Sequence, residues 1–220
     1  MLYDKPFQII DGPSFLSQKK EIIKNGLFQF SCFTKSPFII DCGANIGVSV
    51  AYFKNQYPES DIVAFEADPQ IFKVLQSNAI TLGWSRLELI NKAVMAGAGK
   101  VKFYSDNADG GSLINNALST KPIEIESVKL SDYLKDRPVD FLKIDIEGAE
   151  LLVLEECKDQ LGNVFNIFVE YHSFAGKPQS LAKVVGILEN SGFRCLSQPL
   201  HNQPKPLCIS HHVFGNGYDG

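Results

Sequence analysis

The fold of this chain is narrowed most by a grammar that begins at Pro37 and repeats: a short apolar run, a turn marked by glycine or a carboxylate, then apolar residues at helical spacing. Residues 38–41 form a buried-type strand, and a helix follows the segment Asp41-Cys42-Gly43-Ala44-Asn45-Ile46-Gly47 as far as Phe53. Residues 61–65 are a second strand. The next helix opens at Pro69 and aligns Phe72, Leu75, Ala79 and Leu82 on one face before Gly83 stops it. Residues 87–94 read as a third strand, 139–144 as a fourth and 166–169 as a fifth, with helices over 131–134 and 149–157. Leu181, Val184, Val185 and Leu188 mark the inner face of a helix closed by Gly192. Residues 193–197 and 207–214 supply the last two strands, joined by a proline-bearing segment that suits an antiparallel return. Continuous apolar strands need helices on both faces. The prediction is therefore an α/β three-layer sandwich around one seven-stranded, mostly parallel sheet with an antiparallel edge strand.

Two regions depart from the grammar. Residues 100–104 and 123–128 alternate with a period of two around a polar stretch, 105–121, which predicts a small inserted β-hairpin and loop within 100–130. Residues 1–35 carry a turn at Asp11-Gly12-Pro13 and a helix from Ser14 or Ser17 to Asn25. Phe15, Ile22, Ile23 and Phe28 fit this segment as a helical cover over the larger core. The expectation is a single domain, 1–220.

Composition excludes several classes. A 220-residue chain with 45% hydrophobic residues is too apolar for disorder, and no apolar run is long enough to span a membrane. Met1 to Phe7 lacks the pattern of a signal peptide. Net charge is −4, which disfavours a nucleic-acid partner. Five scattered cysteines without a CxxC pair point to reduced thiols and a cytoplasmic location. A homo-oligomer is compatible with the sequence, which does not determine it.

Ligands of open α/β sheets bind outside the carboxyl ends of the strands. Gly43 allows a sharp turn there, and Gly47 allows close approach at the start of the helix, to a ligand or to packing alone. Glu66, at the end of the second strand, can accept two hydrogen bonds from a ribose, or stand as a solvated acid. A dinucleotide fingerprint would be GxGxxG. Here Asn45 takes the middle position, and Asp41 directs negative charge where a diphosphate would lie. One ribose, no phosphate and an ammonium-bearing tail describe S-adenosylmethionine. Asp41 would face the ammonium, Gly43 and Ala44 would line the methionine tail, and Glu66 would hold the ribose. Asn91, at the end of the third strand, either reaches the adenine edge or forms a turn. A nicotinamide-dependent oxidoreductase and a non-catalytic binding or scaffold domain are the competing readings.

The chain resembles the FkbM family of S-adenosylmethionine-dependent methyltransferases over roughly residues 36–198. The segments that carry the likeness are IIDCGANIGVSVAYF, VAFEADPQIFKVLQSN, NKAV, VKLSDYL, VDFLKIDIEGAELLVLE and FVEYH. The resemblance implies a class I methyltransferase (Rossmann-like) fold and O-methylation, commonly of a sugar or secondary metabolite. It places Asp41, Gly43, Asn45, Gly47 and Glu66 in the cofactor motifs, with Ala67 where proline is commoner. Asp145, Glu147, Gly148 and Glu150 match the later signature.

At the reacting end, Lys143, Asp145 and Glu147 alternate at the close of an apolar strand, and the next strand ends in Glu170-Tyr171-His172. Asp145, Glu170 and His172 form a polar cluster if the strands are neighbours, or an ion-pair network with Lys143. An alcohol must lose its proton as it attacks. His172 is the expected general base, with Asp145 or Glu170 orienting it or taking the proton instead. The same groups suit magnesium, manganese or calcium, although nothing in their spacing favours a metal. Glu147 and Glu150 are explained by helix capping. His211 and His212 read as edge-strand residues. A neutral loop, 109–116, with these carboxylates suits a hydroxyl-rich small-molecule acceptor.

Overall fold

The computed structural model describes residues 1–103, 122–173 and 178–197. In chain order the elements are α1 (Gly12–Gln18), a π-helix (Lys19–Lys24), β1 (Phe38–Cys42), α2 (Val48–Gln56), β2 (Asp61–Phe65) and α3 (Pro69–Leu82). Then come β3 (Leu87–Ile90), β4 (Ala93–Met95), β5 (Gly99–Phe103), β6 (Ile123–Lys129), α4 (Ser131–Leu134) and β7 (Phe141–Ile144). The last are α5 (Glu150–Cys157), a 3-10 turn (Lys158–Asn163), β8 (Ile167–Val169) and α6 (Leu181–Asn190).

Five strands make a sheet of order β3-β2-β1-β7-β8, and every pairing in it is parallel. The two-residue period of each strand divides its side chains between two cores. Phe38, Ile40 and Cys42 of β1 join Leu142 and Ile144 of β7 against Leu134, Val153, Leu154, Val184 and Leu188 from α4, α5 and α6. Ile39 and Phe141 face the other way, onto Val50, Phe53, Ile71 and Leu75 of α2 and α3. These two cores give the three layers. Asp41 and Lys143 belong to the second face and stand opposite each other in the β1–β7 register.

The single seven-stranded sheet expected from sequence is replaced by two sheets. The run 87–94 does not continue as one strand. Asn91 donates its side-chain N–H to the carbonyls of Glu66 (2.8 Å) and Ala67 (3.2 Å), and the chain turns there. β4 then enters a three-stranded sheet, β4-β6-β5, in which β5 and β6 are the expected antiparallel pair and β4 runs parallel to β6. Ala93, Phe103 and Ile125 form its small core. Residues 193–197 form no strand. The expected strand 207–214, with His211 and His212, and the loop 105–121 lie outside the described residues.

Asp11 caps α1 by accepting the Ser14 N–H at 2.7 Å, so the helix starts earlier than its serines indicate. It widens into the π-helix, where the Asn25 N–H reaches the Lys20 carbonyl at 2.9 Å. Phe15, Ile22 and Phe28 bury themselves in the α2 core, and the Phe28 ring stacks on Phe53 at 5.8 Å and meets Phe168 edge-on at 4.9 Å. Among the described residues no helix is long and apolar enough to cross a membrane, and Cys32, Cys42, Cys157 and Cys195 are free thiols.

Candidate active site

A cavity of about 220 Å³ opens at the carboxyl ends of β1, β2, β7 and β8, roofed by the N-terminal segment and walled on one side by the small sheet. Its floor is the turn after β1. Gly43 (φ +88°), Asn45 (φ +50°) and Gly47 (φ +96°) all take left-handed backbone. The N–H groups of Gly43 and Ala44 both donate to the Phe65 carbonyl, at 3.0 and 2.8 Å. A Cβ on Gly43 would lie 1.8 Å from the Asp145 carbonyl oxygen, so only glycine fits between β1 and β7. Gly47 has a different reason. A Cβ there would meet Leu75 at 2.8 Å and the Trp84 ring at 3.2 Å; the glycine serves helix packing and is not on the cavity wall.

Glu66 faces the cavity from the tip of β2 and is 7% exposed. One oxygen accepts the Asn45 N–H at 2.9 Å and the other the Asp68 N–H at 2.8 Å, which fixes the carboxylate across two loops. Burial pushes its pKa up to about 7, against the pull of those two bonds. Gly43, Ala44, Asn45 and Ala67 are on the same wall. Asn91 is behind it, with its amide committed to the Glu66 and Ala67 carbonyls.

Asp41 was expected to meet a ligand ammonium. It is fully buried behind the wall, accepting the Ser49 hydroxyl at 2.5 Å, and the cation it faces is Lys143, 3.4 Å away. Lys143 in turn holds Asp145 at 3.0 Å and donates to the Gly43 carbonyl at 2.7 Å. Burial by itself would lower the lysine pKa; the Asp145 and Asp41 charges hold it above its ordinary range. This is the ion-pair alternative read from the sequence, with Asp41 added to it by register.

Beyond Lys143 the wall carries Asp145, Glu147 and Glu170. The strand ends at Ile144 and the backbone reverses through Glu147 (φ +56°) and Gly148 (φ +104°), which brings Glu147 onto the wall. Left-handed backbone at a glutamate is a local strain, held here by its surroundings. His172 lies behind these acids. Its Nδ1 is 3.0 Å from Glu150 Oε1, and its Nε2 is 3.4 Å from Glu147 and 3.8 Å from Glu170. Burial works against a charged ring, but the Glu150 hydrogen bond and the Glu147, Glu150 and Asp145 charges raise its pKa to about 9. A pKa raised in this way favours the imidazolium at neutral pH, which weighs against the general-base role expected from the sequence. Burial lifts Glu147 to about 7, and burial with the Asp145 charge lifts Glu170 to about 7, so these two join Glu66 among the acids raised toward neutrality.

The donor set fits a nucleoside without phosphate. Carboxylates outnumber the two wall lysines, Lys92 and Lys143, and the latter is neutralised by Asp41 and Asp145. Asp145, Glu147 and His172 each bring one donor atom to within 4.8 Å of the others, and could hold a hard divalent cation. Sequence reasoning gave Glu147 to helix capping and Ile22 to the cover, and missed Ser49 and the roof residues Ser17, Gln18 and Glu21. For Glu147 the signal was the Glu-Gly pair at a strand end; the roof left none.

The family described as the methyltransferase FkbM domain matches residues 41–195. Methyltransferase sdnD of Sordaria araneosa is 29% identical, with 79% of this chain and 80% of that protein covered. The 31-O-demethyl-FK506 methyltransferase FkbM of Streptomyces tacrolimicus is 26% identical over 73% of this chain and 74% of its own, and the 2-O-methyltransferase NoeI of Sinorhizobium fredii (strain NBRC 101917 / NGR234) is 28% identical over 61% and 63%. Among solved structures, the fibrillarin pre-rRNA processing protein of Methanococcus jannaschii superposes with a TM-score of 0.51 at 14% identity, over 92% of this chain and 80% of that one, a likeness of fold alone.

Proposed function

The chain belongs to the FkbM family of S-adenosylmethionine-dependent methyltransferases, and from that premise we propose that it methylates a hydroxyl group on a hydroxyl-rich small molecule, a sugar or secondary metabolite. The observation that carries this reading is the acidic wall of Asp145, Glu147 and Glu170 beside the Gly43 turn. Carboxylates accept hydrogen bonds from hydroxyl donors and repel anionic acceptors. The names of two relatives, a 2-O-methyltransferase and a 31-O-demethyl-FK506 methyltransferase, support oxygen as the methylated atom.

The bound cofactor supplies an activated methyl group on a sulfonium. Glu66 holds the ribose hydroxyls while its oxygens stay anchored by the Asn45 and Asp68 N–H groups. Ala67, Ala93, Val94 and Phe103 give the apolar side of the cavity, suited to adenine. Gly43 and Ala44 pass the methionine tail along the floor. At the far end Glu170, with Glu147 beside the same imidazolium, accepts the hydroxyl proton as attack proceeds. His172 holds those carboxylates in place.

Calorimetry with S-adenosylhomocysteine, followed by turnover across a panel of sugars and phenols, tests the reading. Glu170→Gln is expected to lower kcat by roughly 100-fold or more with cofactor affinity kept. Cofactor binding with no turnover on any acceptor would leave a binding domain instead.

A further inference from the structure

With Asp41 sealed behind the wall by Ser49 and Lys143, the methionine ammonium needs another carboxylate. Among the described residues, six acids reach the cavity: Glu21, Glu66, Asp68, Asp145, Glu147 and Glu170. Glu66 is fixed at the ribose end, and Asp68 caps α3 by accepting the Gln70 N–H at 2.7 Å. Asp145 pairs with Lys143, and Glu147 and Glu170 surround His172. Glu21 differs from all of these. It comes from the roof, and its partners are Asn25 (2.9 Å) and the largely exposed Lys20 (3.6 Å), which are weak competitors for a ligand cation.

Two features set Glu21 over the floor turn, along which the methionine tail is proposed to run. Ile22, next in sequence, is buried in the same cluster as Ala44, Ile46 and Val48, which form the floor turn and the start of α2. Ser17, Gln18, Glu21 and Ile22 all line the cavity, so one face of the helical segment is turned toward that floor. The π-helical turn at Lys19–Lys24 contains Glu21; such turns recur at functional sites, where the wider backbone re-aims side chains.

We propose that Glu21, flanked by Ser17 and Gln18, receives the ammonium of the cofactor's methionine tail, so that the N-terminal cover completes the cofactor site. The inference rests on the S-adenosylmethionine reading above and assigns its missing charge partner. Its test is the binding of two ligands to the full chain and to Glu21→Gln: S-adenosylhomocysteine, which carries the tail, and 5′-methylthioadenosine, which lacks it. The expected result is a loss of about tenfold in affinity for the first and a change of less than about twofold for the second. Equal losses for both ligands would show that Glu21 only packs the roof, and unchanged affinities that it does not touch the tail; either overturns the assignment. Methylthioadenosine binding also reports that the variant has folded. A wild-type chain that binds neither ligand would sink the cofactor reading itself, a different failure from wild-type binding that Glu21→Gln leaves intact.

Discussion

The two ends of the cavity are built by different means. At the Glu66 end the groups are held by hydrogen bonds to and from the backbone: Gly43 and Ala44 on the Phe65 carbonyl, Asn45 and Asp68 on Glu66, Asn91 on the Glu66 and Ala67 carbonyls. At the Glu170 end they are held by charge, with Lys143 between Asp41 and Asp145 and His172 among Glu147, Glu150 and Glu170. The first arrangement fixes shape, and its one raised carboxylate, Glu66 near 7, is clamped on both oxygens by N–H groups. The second leaves carboxylates whose protonation changes near neutrality, which proton transfer requires.

The largest effect should come from removing the cation that both ends share. Lys143→Met leaves the buried Asp41 without its cation and the half-buried Asp145 without its ion pair, and a loss on the order of 3–5 kcal/mol is expected in urea unfolding. An unchanged midpoint would mean that the ion pairs carry no stability. Gly43→Ala attacks the junction by shape, through its positive φ and the clash with Asp145; about 3 kcal/mol and most cofactor affinity should go, read by thermal shift and calorimetry.

The pH profile sharpens the contrast. Turnover should rise through about 7 as Glu147 and Glu170 lose their protons, and fall as His172 loses its own near 9. The His172 charge lowers both glutamates, so His172→Gln should move the acid limb upward and flatten the alkaline one. Disappearance of the acid limb would instead restore the imidazole as the base. For stability the sign is fixed by a pKa that is higher folded than unfolded: the His172 contribution is complete below about 6.5 and fades as pH climbs through about 9. The smallest effect is expected from chelation. The imidazolium proton competes with a cation for Asp145, Glu147 and His172, so treatment with a chelator should leave turnover within about twofold, and a full loss restored by magnesium would reassign the cluster as a metal centre.

The same division explains what the sequence revealed. β1, β2 and β7 are apolar runs apart from Asp41, Asp61 and Lys143, and the glycine turn and Glu66 follow directly at the tips of β1 and β2, so local spacing was enough to bring Gly43, Ala44, Asn45 and Glu66 to one wall. The environment of Asp41 depended on register with Lys143, a residue of a distant strand, and no local pattern carries that. The break after β3 was hidden because 87–94 is apolar enough for one strand; the turn is made by Asn91 bonding to carbonyls of another loop. His172 reads as a base in isolation, and its pKa is raised by the carboxylates of Glu147, Glu150 and Asp145 folded around it.

That departure of β4 from the main sheet has a consequence for how such a site diversifies. Ala93, Val94 and Phe103 wall the cavity, yet their ladder belongs to a separate three-stranded unit. A slip of register there would swap which side chains meet the cavity while the hydrogen-bonded ladder of the five parallel strands kept its pairing. The flank is thus a panel that selection can recut without rebuilding the frame.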